Sequence, residues 1–141
     1  QDVVLSIPSV VDANGIETVV PIELSDQELE ALRNSAAVLK QMIQEKIANM
    51  EMLIQAGRGL VYNATMLLDQ GKPCNKEASI AKCFVTEAYG KITDDALQIF
   101  GGYGLCDEYL ISKLYRDSRV NRIIEGTNEI QRVVIAKSLL R

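Results

Sequence analysis

Residues 24–68 read LSDQELEALRNSAAVLKQMIQEKIANMEMLIQAGRGLVYNATMLL. The run opens on a capping box, Ser25-Asp26-Gln27-Glu28, in which the Ser hydroxyl accepts an N–H three residues on and the Glu reaches back. Leu29, Leu32, Ala36, Leu39 and Ile43 then recur at helical spacing. Ile47, Met50, Leu53/Ile54, Gly57, Leu60/Val61, Ala64 and Leu67/Leu68 carry the stripe onward. No proline or turn cluster interrupts it. The spacing predicts one continuous helix from Asp26 to Leu68, about 43 residues and roughly 65 Å long at 1.5 Å each. A break near Gln44 is the alternative. Gly57 and Gly59 each cost about 1 kcal/mol against Ala inside a helix, a loss that a closely approaching neighbour accommodates.

Downstream, Gly71-Lys72-Pro73 stops that helix, with Gly in the left-handed terminal position. Asn75 is the expected cap of the next one. Its face is marked by Ile80, Cys83/Phe84, Glu87/Ala88, Lys91/Ile92, Asp95/Ala96 and Ile99, and Gly101-Gly102 end it. A short amphipathic segment spans Asp107 to Arg119, and a last helix Thr127 to Leu140. Short connections between amphipathic helices imply antiparallel neighbours. The predicted class is mainly α, an antiparallel helical bundle.

Upstream, residues 2–11 and 16–24 are rich in β-branched residues around Asp12-Ala13-Asn14-Gly15. Asn-Gly between such runs predicts a β-hairpin, because both residues tolerate positive φ. Pro8 and Pro21 cannot donate to a ladder, so the ribbon is irregular or at an edge. The expected organisation is a hairpin plus helix over residues 1–45 and a helical bundle over 46–141, with the long helix spanning the junction.

The 141 residues are 48% hydrophobic and 24% charged with net charge -4, a composition that suits a soluble globular protein. A mildly acidic chain has no footprint for nucleic acid. No apolar run approaches the roughly 18–20 residues of a membrane span. Cys74, Cys83 and Cys106 are odd in number and suit a reducing compartment. With no histidine, a Ser-His-Asp or Cys-His site is excluded, and no metal site is expected. The chain begins with Gln, which is expected of a piece of something longer or of an engineered protein.

The densest chemistry lies between Gln98 and Gln131: QIFGGYG at 98–104, YRDSR at 115–119 and IIEGTNEIQ at 123–131. Read by itself, Glu125 is a loop acid or capping residue, GGYG a helix-terminal turn, Thr127 an N-cap, and Arg116 with Asp117 a loop-fixing charge cluster.

Two resemblances follow. DVVLSIPSVVDANGIETVVPIELSDQELEALRNSAAVLKQMI resembles the carboxy-terminal end of an L-lactate dehydrogenase, over roughly residues 1–45. That family's nucleotide-binding half and catalytic histidine are absent from this stretch, so neither its activity nor NAD is implied. From about Gln44 to Arg141, KEASIAKCFVTEAYGKITDDAL, QIFGGYG, LYRDSRVNRIIEGTNEIQR and VIAKSLL together resemble the C-terminal helical domain of an acyl-CoA dehydrogenase. The joint spacing of GGYG, YRD and EGTNEIQ is highly specific.

This second resemblance implies α,β-dehydrogenation of an acyl-CoA thioester, with Glu125 as the catalytic base and FAD taking the hydride from the β-carbon. Gln98, Gly101 and Gly102 match positions that contact the adenine end of FAD across a subunit interface. Thr127 and Asn128 open a helix whose free N–H groups suit the FAD pyrophosphate. The family is cytoplasmic or mitochondrial. It holds its flavin against a preceding β-domain, and no such domain precedes residue 44. The expected function is therefore a non-catalytic chimera of the two parents, engineered or recombined, without FAD in the isolated chain. The alternative is a fragment or subunit of an FAD-dependent acyl-CoA dehydrogenase that uses Glu125 as base. Either way, apolar helix faces imply a homo-oligomer.

Overall fold

The computed structural model of the chain describes residues 8–140. It contains strands β1 (Ser9–Asp12) and β2 (Gly15–Val19) and helices α1 (Asp26–Asp69), α2 (Asn75–Phe100), α3 (Leu110–Val120) and α4 (Asn128–Leu139). A 3₁₀ turn, Gly101–Leu105, follows α2. The class is mainly α, as the periodicity implies. The chain divides into two compact units, Gln1–Glu45 and Lys46–Arg141, and α1 belongs to both as a single element. No helix among the described residues is long and apolar enough to cross a membrane.

In the first unit, β1 and β2 pair antiparallel, Ser9 opposite Val19 and Asp12 opposite Gly15. Residues 2–7 of the expected ribbon lie outside the described residues. The register corrects the turn. Its central pair is Ala13-Asn14, and Gly15 already faces Asp12 as part of the ladder. Only Gly15 has positive φ, at 117°. The Asp12 carboxylate accepts the Asn14 N–H at 2.7 Å, so an Asx turn supplies the reversal that the Asn-Gly reading assigned to two left-handed residues. Glu17 is the extra residue of a bulge, since Val10 faces Thr18 while Val11 faces Ile16. Every residue of β2 is exposed.

The capping box forms as its spacing requires. The Ser25 N–H and hydroxyl donate to the Glu28 carboxylate at 2.9 and 2.7 Å, and the Glu28 N–H donates to Ser25 Oγ at 3.4 Å. These bonds, the backbone one first, hold the exposed Glu28 carboxyl below the usual carboxylate range. At its far end α1 closes with a Schellman motif: Gly71 at φ 65° donates to the Leu68 carbonyl, and Lys72 donates to that of Leu67.

In the second unit α2 is the central element, packed by α3, α4 and residues 46–69 of α1. Asn75 is its first residue rather than its cap; Cys74 takes that position without a side-chain bond. Gly57 is buried, and a Cβ there would stand 3.2 Å from Val85 Cγ2, which explains its place in α1. Gly59 meets nothing within 4 Å, and nothing in the structure requires glycine there. The buried apolar residues are Ala81, Cys83, Ala88 and Ile111, and the buried polar ones include Thr93, Asp95, Ser112, Ser118 and Asn128. The helices thus meet on small and polar side chains. Larger apolar groups, among them Met52, Tyr62, Met66, Ile123 and Ile130, stay more than half exposed.

Asp95 is the buried charge at this centre. Its two oxygens accept from Lys46 on α1 at 2.5 Å and from Lys91 one turn back on α2 at 2.7 Å. These two bonds, Lys46 first, hold its carboxyl below the ordinary range. A depressed carboxyl stabilises the fold in full above its unfolded pKa of about 4, and that contribution is lost as pH falls through the lower folded value. Asp95→Asn is expected to cost about 1–3 kcal/mol at neutral pH and to flatten the acid limb of the stability curve. Urea midpoints at neutral and acidic pH read both effects, and an unchanged acid limb would refute the assignment. The two glycines of α1 give a second expectation. Gly57→Val is expected to destabilise by about 1–3 kcal/mol through overpacking against Val85. Gly59→Ala is expected to stabilise by up to about 1 kcal/mol. The same urea titration separates them.

Candidate functional site

α3 ends at Val120, and the chain must reverse before α4 begins at Asn128. Ile123 and Ile124 both donate to the Val120 carbonyl, at 2.9 and 3.1 Å, and Asn128 N–H donates across the turn to Arg122 O at 3.1 Å. The reversal falls on two successive left-handed residues, Glu125 at φ 54° and Gly126 at φ 80°. Among the described residues Glu125 is the only non-glycine with positive φ. Its side chain is exposed. Gln131 Nε2 donates to the Glu125 carbonyl at 3.2 Å, and Lys82 Nζ donates to that of Gly126 at 2.8 Å. The φ of Gly126 favours glycine whatever the space, and a Cβ there would stand 2.8 Å from Gln131 Nε2 and displace that amide.

Asn128 anchors this turn to α2. It is 2% exposed. Its Oδ1 accepts from Lys82 at 2.7 Å, and its Nδ2 donates to Thr86 Oγ1 at 3.0 Å and Glu87 Oε1 at 3.3 Å. Glu87 also pairs with Arg132 on α4. That pairing, followed by the Asn128 bond, holds the Glu87 carboxyl below its usual range. The Cys83 thiol donates to the Asn128 carbonyl at 3.4 Å, and burial pushes its pKa up, which makes it an inert packing group.

Two first-turn donors of α4 are engaged within the chain. Asn128 N–H goes to Arg122 O and Ile130 N–H to Thr127 Oγ1. Thr127 is the N-cap, as its residue type implies.

Gln98, Gly101 and Gly102 lie elsewhere. Lys82 touches the Glu125–Gly126 turn, and Gln98 follows it by sixteen residues on α2, about 24 Å along the axis at 1.5 Å each. The chain therefore does not bring Gln98 and the two glycines together with Glu125. Gly101 caps α2 at φ 60° and donates to the Gln98 carbonyl. Nothing lies within 4 Å of a Cβ built on Gly101 or Gly102. Gly104 does need its hydrogen, because a Cβ would meet Leu97 O at 3.0 Å. Phe100, Tyr103 and Tyr109 form an aromatic edge beside these glycines, with Tyr109 centred 5.8 and 5.7 Å from the other two rings.

Arg116 fixes the loop before α3, but through Asp107, at 3.1 Å, and Ser112, at 2.7 Å. Asp117 instead pairs with Lys113 inside the helix. The sequence reading missed Lys82, Thr86, Arg132 and Gln131. The available signal was Lys82, Thr86 and Glu87 lying beside the apolar face of α2. Polar groups at that spacing on a packed face call for polar partners from another element.

Comparison with known proteins accords with this geometry. The model of the acyl-CoA dehydrogenase C-terminal domain matches residues 28–140, and that of the lactate/malate dehydrogenase alpha/beta C-terminal domain matches residues 1–50. A 3-(aryl)acrylate reductase of Clostridium sporogenes is 52% identical over 72% of this chain and 27% of its own length. An acyl-CoA dehydrogenase of Bacillus subtilis is 44% identical over 84% of this chain and 31% of its own. The solved butyryl-CoA dehydrogenase of Megasphaera elsdenii superposes with a TM-score of 0.70 at 44% identity, covering 72% of this chain and 26% of that one. The chain thus spans about a quarter to a third of the relatives it matches. These findings overturn the expectation of a non-catalytic chimera. The acyl-CoA dehydrogenase match runs unbroken through the supposed junction near residue 45, and the relatives are named as dehydrogenases and a reductase. The chain belongs to the acyl-CoA dehydrogenase family, through that family's C-terminal domain.

Proposed function

We propose that this domain supplies the catalytic base, Glu125, and part of the flavin site of an FAD-dependent acyl-CoA dehydrogenase. One observation carries the reading. The turn that presents Glu125 is clamped through its backbone, while among the described residues no side chain pairs with the carboxylate itself. A base must be free to meet its substrate and fixed in where it does so. The α-proton of an acyl-CoA thioester is weakly acidic, so its removal needs a carboxylate at hydrogen-bond distance and donors that polarise the thioester carbonyl. The N–H at the base's own position can serve as one such donor. In this reading Glu125 takes the α-proton, the β-carbon gives up a hydride, and the product is the α,β-unsaturated thioester. Bound FAD supplies the two-electron oxidant.

The residues present fit that cofactor at two places. Gly101 and Gly102 offer bare backbone with open space where side chains would stand, next to an exposed aromatic edge. A flat ring system can approach such a surface closely. Thr127 lies at the start of α4, whose dipole favours a phosphate. Asn128 is committed to α2, so its part is to hold that helix start in place. In this reading Gln98, Gly101 and Gly102, set apart from the Glu125 turn along α2, serve the flavin of a second subunit. The compartment follows the family, cytoplasm or mitochondrial matrix.

The test is the visible spectrum of the purified protein with FAD. Flavin bands that bleach on addition of a saturated acyl-CoA are expected, and a folded, colourless protein would sink the reading. Glu125→Gln is expected to keep the flavin bands and to slow bleaching by about 10²–10⁴-fold. Self-association follows from the same reading, because apolar groups such as Ile123 and Ile130 stay exposed in a single chain. Light scattering at micromolar concentration is expected to give a multiple of the chain mass, and a monomer would refute it.

A further inference from the structure

We propose that Lys82 is a positioning residue for Glu125, which it serves by clamping the Gly126 carbonyl. The inference rests on the reading of Glu125 as base. An L-residue with positive φ is strained, and it persists where its surroundings hold it. Here Glu125 at φ 54° is followed by Gly126 at φ 80°, the residue type with the greatest freedom to rotate. Any swing at Gly126 would redirect the peptide that carries Glu125. The planes on both sides of Gly126 are fixed by side-chain donors: Gln131 Nε2 holds the Glu125 carbonyl, and Lys82 Nζ holds the Gly126 carbonyl.

These two clamps differ in reach. Gln131 lies six residues from Glu125, so it moves with the turn and with α4. Lys82 lies on α2, 44 residues away from Gly126, and its bond lands on the backbone of the turn itself. It therefore sets the turn in the frame of the domain. The ammonium head is fixed in its own right, because it also donates to the buried Asn128 Oδ1 at 2.7 Å. A charged donor of this length, held at its far end, locates the backbone of Glu125 and leaves the carboxylate free. Lys82 meets the reacting groups only through that backbone.

The test compares Lys82→Met with Lys82→Arg in the full chain. The first readout is the NMR backbone coupling and Cα shift of Glu125, which report its left-handed φ. Lys82→Met is expected to lose that signature while α2 and α4 keep their helical shifts, and Lys82→Arg is expected to keep it. Retention in Lys82→Met, or equal loss in both variants, would overturn the proposal. Should Lys82→Met fail to fold, Lys82→Gln takes its place, since its amide is uncharged and one bond shorter than the Lys82 ammonium. The second readout is kinetic, in the flavin-loaded protein. Lys82→Met is expected to lower kcat about 10- to 100-fold with KM little changed, and Lys82→Arg to restore most of it. An unaltered kcat would overturn the proposal as well. The NMR readout needs no flavin. A protein that takes no FAD therefore sinks the dehydrogenase reading, while the φ of Glu125 in the two variants still decides whether Lys82 holds the turn.

Discussion

The amide of Asn128, buried among Lys82, Thr86 and Glu87, is the contact on which the rest of the site depends. A buried amide left without partners costs free energy comparable to a lost hydrogen bond, and here all of its partners come from α2. The Asn128 N–H also closes the α3–α4 turn onto Arg122 O. One residue therefore ends the turn, opens α4 and docks that helix. Glu87 and Arg132 add an ion pair on the same side, more than a third exposed at both partners and so of secondary weight.

This arrangement explains why the packed surface is poor in large apolar groups. Ala81, Cys83, Ala88 and Gly90 let backbones approach, and polar side chains then bridge them. Gly90 is the sharpest case, since a Cβ there would stand 2.1 Å from Arg122 Nη2. Arg122 lies against α2 at the start of the turn, with Nη2 at 3.5 Å from the Glu87 carbonyl. Small residues and hydrogen bonds specify position more narrowly than an oily interface of equal area.

Domain identity and catalytic family are separable here. The stretch matched by the lactate/malate dehydrogenase model, residues 1–50, overlaps the acyl-CoA dehydrogenase match along α1. An amphipathic helix with an apolar residue every three or four positions satisfies both patterns, because helical periodicity carries little family information. The specific information lies in the turns, at GGYG and EGTNEIQ, where glycine and charge serve particular backbone conformations.

The sequence by itself determined the helical class, the span of α1, the capping box at Ser25–Glu28, the Gly71 terminus, the Thr127 cap and the family motif with its Glu125. Each follows from spacing or residue chemistry within a few positions, which is the range over which the chain dictates its own conformation. Tertiary structure decided the rest. It showed that Gly57 faces Val85 while Gly59 faces open space, and that the hairpin turn centres on Ala13-Asn14 and is closed by the Asp12 carboxylate. It put Glu125 itself in the left-handed region, a conformation that its residue type disfavours and that packing imposes. It also joined Lys82 to Gly126 and Lys46 to Asp95. Those pairs lie more than forty residues apart, and no local pattern encodes a partner at that distance. Only the docking of one helix on another selects it.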